Sequence, residues 1–221
     1  MQKPNATREG KQKIIREEKH NLTREEKAQL TRAALIDAAR LLFAEKGYHA
    51  TGTHEIVATA NVTRGALAHY FPKKEDLFLA VFEDVQRDLM ARAEANVGKM
   101  VGKDHWTAFR NSLFAFLEAA TKPDVQQILL LDGPVVLGWA NWRKLEAQYG
   151  LGAIKAALEA AIADKLIQPT PVEPLAHLIL AIIDEAALLV AHAKKPSKAR
   201  AEVEQALETL LSNFSASAAK R

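Results

Sequence analysis

The 221 residues contain no cysteine. That excludes disulfides and any thiolate metal site, and it suits a reducing compartment. Aromatic residues are scarce at 6%, and no stretch alternates apolar and polar residues as a half-buried strand would. No glycine-rich phosphate loop and no nucleophile elbow occurs, so an enzyme reading has no catalytic group to rest on. None of the seven histidines pairs with another at metal-ligand spacing, and His54-Glu55 lacks the second histidine of a zinc helix. No metal and no cofactor is expected. A signal-like apolar stretch is missing from the polar N-terminus. The most apolar run, Leu175–Ala193, is interrupted by His177, Asp184, Glu185 and His192, which argues against a membrane span. A cytoplasmic protein with no membrane partner is expected.

What is present favours helices. Hydrophobic residues make up 48% of the chain, and alanine and leucine lead among them. The net charge of +3 hides an asymmetry: residues 1–74 carry 14 Lys and Arg against 8 Asp and Glu, whereas residues 75–221 carry 16 against 19. A basic first third on an acidic body points to a polyanionic partner at the N-terminal end. Residues 1–30 alone hold 8 basic and 5 acidic residues. They read as a partly disordered basic extension, either an arm along phosphates or a solvated tail.

Helix signals follow one another along the chain. Thr23-Arg24-Glu25-Glu26 matches a capping box, apolar residues from Leu30 to Ala44 recur at helical spacing, and Gly47 is a stop. A short helix is predicted over Thr53–Ala60, with N-cap groups from Thr51-Gly52-Thr53. Asn61 then suits a left-handed turn. Thr63 caps the next helix, which ends at Phe71 before Pro72. Further helices are predicted over Lys74–Val97, Thr107–Thr121, Asp124–Leu131, Gly138–Tyr149, Leu151–Leu166, Val172–Ala193 and a last one opening at Pro196. Gly150-Leu151-Gly152 reads as a helix junction.

Two short helices joined by a tight turn make a helix-turn-helix. Ile56, Ala60, Val62, Leu67 and Tyr70 form its inner set. Thr63, Arg64, Gly65, Ala66, Ala68 and His69 remain outward, small enough for close entry into a major groove, with Arg64 shaped for guanine or phosphate.

Residues 31–78 resemble the DNA-binding domain of the TetR family of bacterial repressors. The match runs through Ala38 to Phe43, Lys46-Gly47-Tyr48, Thr51 to Ile56, Val62 to Leu67, His69-Tyr70-Phe71-Pro72 and Lys74 to Leu77. Leu131-Asp132-Gly133-Pro134 to Trp139 and Trp142-Arg143 resemble some members of the family as well. The resemblance implies an all-α fold: a three-helix DNA-binding domain at 31–76 and a larger ligand-binding and dimerisation domain at 77–221. It implies phosphate contacts from Thr53, Tyr70 and Lys74, and groove contacts from Arg64, Ala66, Ala68 and His69. Two departures stand out: Ala68 where the family usually has tyrosine, and Val57 where alanine is usual.

The resemblance also implies an inducer pocket in the body, where Trp106, Phe109, Phe116, Trp139 and Trp142 are the candidate lining. A four-helix homodimer bundle would draw on the last two helices, with Ile179, Ile183, Ala186, Val190, Leu207 and Leu211 as candidate interface. The expected function is that of a dimeric repressor on a palindromic double-stranded operator, released by a small-molecule inducer. A ligand-independent architectural or interaction protein using the same fold on DNA is the alternative.

Overall fold

A computed structural model describes residues 23–98 and 104–214. Most of the basic N-terminal extension therefore lies outside the described residues. Its end is already helical from Arg24 to Leu30, behind the cap residue Thr23.

Helix α1 spans Arg24–Lys46. Thr23 and Glu26 cap each other reciprocally: the Thr23 N–H donates to Glu26 Oε2 at 2.7 Å, and the Glu26 N–H to Thr23 Oγ1 at 3.2 Å. The helix stops at Gly47, φ 79°. A Cβ there would lie 3.1 Å from the Gln127 side chain, so both the backbone and the close neighbour demand glycine.

Helices α2 (Thr53–Thr59) and α3 (Arg64–Tyr70) follow. Between them Asn61 takes φ 53°, the left-handed geometry that asparagine tolerates. Thr51 is buried; its hydroxyl donates to the carbonyls of Gly47 and Leu42 at 2.8 and 3.2 Å. The start of α2 is held instead by Glu55, which accepts the Gly52 N–H at 3.2 Å.

Helix α4 (Lys74–Gly98) runs from the helix-turn-helix into the body without a break, a length of about 37 Å at 1.5 Å per residue. The boundary expected at residue 76 falls in its first turn. Helix α5 (His105–Ala119) begins two residues before the predicted start, because Asp104 accepts the Thr107 N–H at 2.8 Å. Helix α6 covers Val125–Val136. Its first eight residues, Val125–Asp132, are wound as a π-helix and the last four, Gly133–Val136, as an α-helix.

Helix α7 (Trp139–Ala163) is continuous, where two helices and a glycine junction were predicted. Gly150 sits mid-helix, and a Cβ there would come 3.2 Å from Leu180 on the next helix. The glycine serves close packing rather than a turn. Helices α8 (Val172–His192) and α9 (Pro196–Ser212) complete the chain. By length and composition α8 could cross a membrane, yet just over half of its most apolar stretch is buried inside the protein, and it packs against α5, α6, α7 and α9.

One apolar cluster links these helices, with Phe43, Ile56, Phe78, Phe82, Leu117, Ile128, Trp142 and Leu158 fully enclosed. Each such side chain contributes about 1.5–3 kcal/mol through burial. All six candidate interface residues are buried: Ile179, Ile183, Ala186, Val190, Leu207 and Leu211 are each at most 5% exposed within a single subunit, and all but Val190 belong to this cluster. Helix α8 is apolar on two sides, and that row is the inner one. The outer row is Leu178, Ile182 and Leu189, joined on α9 by Leu210, with exposures between 41% and 61%.

Candidate nucleic-acid interface

Local capping positions the third helix. The Ala66 N–H donates to Thr63 Oγ1 at 3.1 Å, which satisfies one of the free N–H groups of the first turn. Leu67 is buried and Ala60, Val62 and Tyr70 pack partly against the core, so only one face of α3 is free. That face carries Thr63, Arg64, Gly65, Ala68 and His69, all exposed, with Thr53 exposed at the start of α2. Ala66 and Tyr70 are half-buried, and the Tyr70 ring meets His69 edge-on, centroids 5.0 Å apart. Among the described residues no carboxylate within ion-pair distance neutralises Arg64. Val57, the larger residue at the family's alanine position, is accommodated inside the core at 9% exposure.

Lys74 is placed differently from a free phosphate ligand. Its ammonium donates to the Tyr48 carbonyl and lies 4.0 Å from the Tyr48 ring centroid. Burial lowers its pKa, against the opposing fields of Glu75 and Asp132. It ties α4 to the turn after α1. Lys73 is the exposed cation next to it. A groove of about 320 Å³ runs between Thr53, Arg64, Ala68, Pro72, Lys73 and Lys74. The resemblance points to Lys74 alone; Lys73, just before the first residue of α4, is the more exposed of the two.

Polar ties join this end to the body. Arg40 on α1 donates to Asp84 and Asp88 on α4 at 2.9 and 2.6 Å, and to Asp124 at 2.6 Å. Burial works against the Arg40 charge, but the three carboxylates outweigh it and raise its pKa. Burial likewise disfavours the Asp124 carboxylate, yet Arg40 and the Val125 N–H hold its pKa below the ordinary value. Asp132, at the end of the π-helical stretch, accepts the Tyr48 N–H at 2.7 Å.

The body holds a cavity of about 1080 Å³, open to solvent at one rim, between α4, α5, α7 and α8. Phe109 and Phe116 line it; the three tryptophans do not. Trp142 is fully buried beside α6, its Nε1–H donating to the Leu129 carbonyl at 2.9 Å. Trp139 is exposed and stacks on Trp142, and Trp106 packs on Phe109 and Phe214. Polar groups absent from the sequence prediction line the wall: Gln86, Glu146 and Asp184. A charged residue buried on an otherwise apolar helix face was the one available signal.

An exposed, capped second helix of a helix-turn-helix, fixed to a larger helical body, is the arrangement of a DNA-binding regulator. Residues 35–81 match the family model for bacterial regulatory proteins of the tetR family, and residues 106–214 match the tetracyclin repressor-like C-terminal domain. The Tn10 TetC protein of Escherichia coli is 30% identical over 135 residues, which are 61% of this chain and 64%, just under two thirds, of that protein. A solved TetR-family regulator from Pectobacterium atrosepticum is 31% identical at a TM-score of 0.77, over 88% of this chain and 98% of that one. RolR in complex with resorcinol shares the fold, with 21% identity and a TM-score of 0.63 over 83% of this chain and 90% of that one. The chain belongs to the TetR family and is a helix-turn-helix transcriptional regulator.

Proposed function

We propose that this regulator is a repressor, acting as a cytoplasmic homodimer on a palindromic operator and leaving it when a small molecule fills the cavity. The free face of α3 carries this reading. Arg64 reads a base or a phosphate, Gly65, Ala66 and Ala68 allow close approach to the groove, and His69 reaches its edge. Thr53, Thr63 and Tyr70 position the backbone of the DNA, together with Lys73, while Lys74 braces the turn behind them. The division of labour follows the chain: residues 31–76 bind DNA, and 77–221 sense and pair.

The outer row of α8 and α9 supplies the dimer contact. Leu178, Ile182, Leu189 and Leu210 form an exposed apolar stripe of the kind that marks interfaces. The largely apolar cavity, open at one rim, favours a ligand-released repressor over a ligand-independent architectural protein, and the resorcinol complex of RolR supports a small-molecule site in this fold. Selection of random DNA fragments with the purified protein tests the proposal. Recovered fragments carry inverted repeats with half-sites about 10–10.5 base pairs apart or a multiple of that. Unrelated sequences without symmetry would contradict it.

A further inference from the structure

Most of the cavity wall is apolar, with Leu89, Met90, Leu113 and Leu180 beside Phe109 and Phe116. Its buried polar groups are of unequal charge. Gln86 on α4, Glu146 on α7 and Asp184 on α8 all line it, and none is more than 6% exposed. Gln86 Nε2 donates to Glu146 Oε1 at 2.6 Å. Arg143, one turn earlier on α7, is bound by Asp184. The guanidinium is taken by Asp184, and Glu146 is left with a neutral amide as its hydrogen-bond partner.

A buried carboxylate without a counter-charge is strongly disfavoured, so the group keeps a proton until a cation arrives. Burial and the field of Asp184 push the Glu146 pKa up to about 8, while Gln86 and Arg143 pull against them. Among the described residues the cations that line the wall, Arg92 and Lys122, are exposed at its rim beside His105 and Glu118, where solvent screens them.

Resting on the reading of this cavity as the regulatory site, we propose that its ligand is a lipophilic organic cation, an amine or quaternary ammonium on an apolar body, with Glu146 as the counter-ion. The body fills the phenylalanine-lined side, whose ring faces also attract positive charge. The arriving cation displaces the Glu146 proton to solvent. An anionic amphiphile meets Glu146 and Asp184 with no free buried cation among the described residues of the wall to receive it.

Calorimetric titration of the full chain at pH 7 with dodecyltrimethylammonium, dodecanol and dodecanoate, each below micelle formation, tests this. The cation binds at least about tenfold more tightly than the alcohol, and the carboxylate most weakly. Titrations in two buffers of different ionisation heat show proton release with the cation alone. Glu146→Gln removes most of the preference for the cation and leaves the alcohol's binding in place. Equal binding of alcohol and cation, or a preference that survives Glu146→Gln, overturns the proposal while leaving the cavity a ligand site. Binding of none of the three overturns both readings. Should Glu146→Gln fail to fold, the wild-type proton count decides: cation binding without proton release contradicts the proposal.

Discussion

The two ends of this protein place their polar chemistry on opposite sides. At the DNA-binding end Arg64, Ala68 and His69 face outward on a helix fixed by one hydroxyl cap and a few buried side chains. In the body Gln86, Glu146 and Asp184 are buried in the wall of a mostly apolar cavity whose other charged groups lie at its exposed rim. The first arrangement is held in place by local capping and packing. The second holds buried carboxylates, whose charged forms burial disfavours. A regulator needs both, and a connection between them. Here α4 runs from one end to the other, and Arg40 and Asp132 fasten the reading end to α6.

Opposite charge placements on two adjacent residues probe the body most severely. Ile183→Glu buries an unpaired carboxylate in the core and unfolds the body, a loss above about 4 kcal/mol in a urea melt. Ile182→Glu, one residue away on the outer row, leaves the melt nearly unchanged and yields monomers in sedimentation. Folded, dimeric Ile182→Glu would remove α8 from the dimer contact.

A smaller effect is expected at the connection. Arg40→Met leaves Asp84, Asp88 and Asp124 together without their cation, which costs about 1–3 kcal/mol. The sign of its pH dependence follows from Asp124. A carboxylate with a depressed folded pKa stabilises above its unfolded pKa and loses that contribution as pH falls through the folded one. The gap between wild type and Arg40→Met therefore shrinks in acid, and added salt narrows it at neutral pH. A gap that is constant with pH would assign the loss to packing of the arginine stem.

The least change is expected at the cap. Thr63→Ala removes the acceptor for the Ala66 N–H and costs about 1 kcal/mol. Because α3 has only seven residues, its first turn frays, and operator binding weakens by more than stability does.

Local chemistry made the reading end legible from sequence. Thr23, Gly47, Asn61, Thr63 and Pro72 each act within a few residues, and each appears at its predicted place. The body was legible as helices but not as faces. Its helices are apolar on more than one side, so periodicity could not separate Ile183 from Ile182. Gly150 resembled a break because its reason, the close approach of Leu180, comes from a helix thirty residues further along. The tryptophans suggested a pocket by size, but Trp142 had its own hydrogen bond to satisfy inside α6, and the cavity opened beside smaller residues. Lys74 came as a phosphate contact from the family resemblance, and its cation–ring and carbonyl partners, which depend on tertiary packing, were not legible beside that role.

That α3 reads DNA through its free face is the central claim. Fluorescence anisotropy of one selected operator fragment, titrated with wild type and with Arg64→Ala across a range of salt, tests it most directly. For wild type, log affinity falls linearly with log salt. Arg64→Ala binds more weakly by about 1–3 kcal/mol and loses discrimination at one base pair of each half-site. Equal affinity, salt slope and base preference for the two proteins would contradict the account.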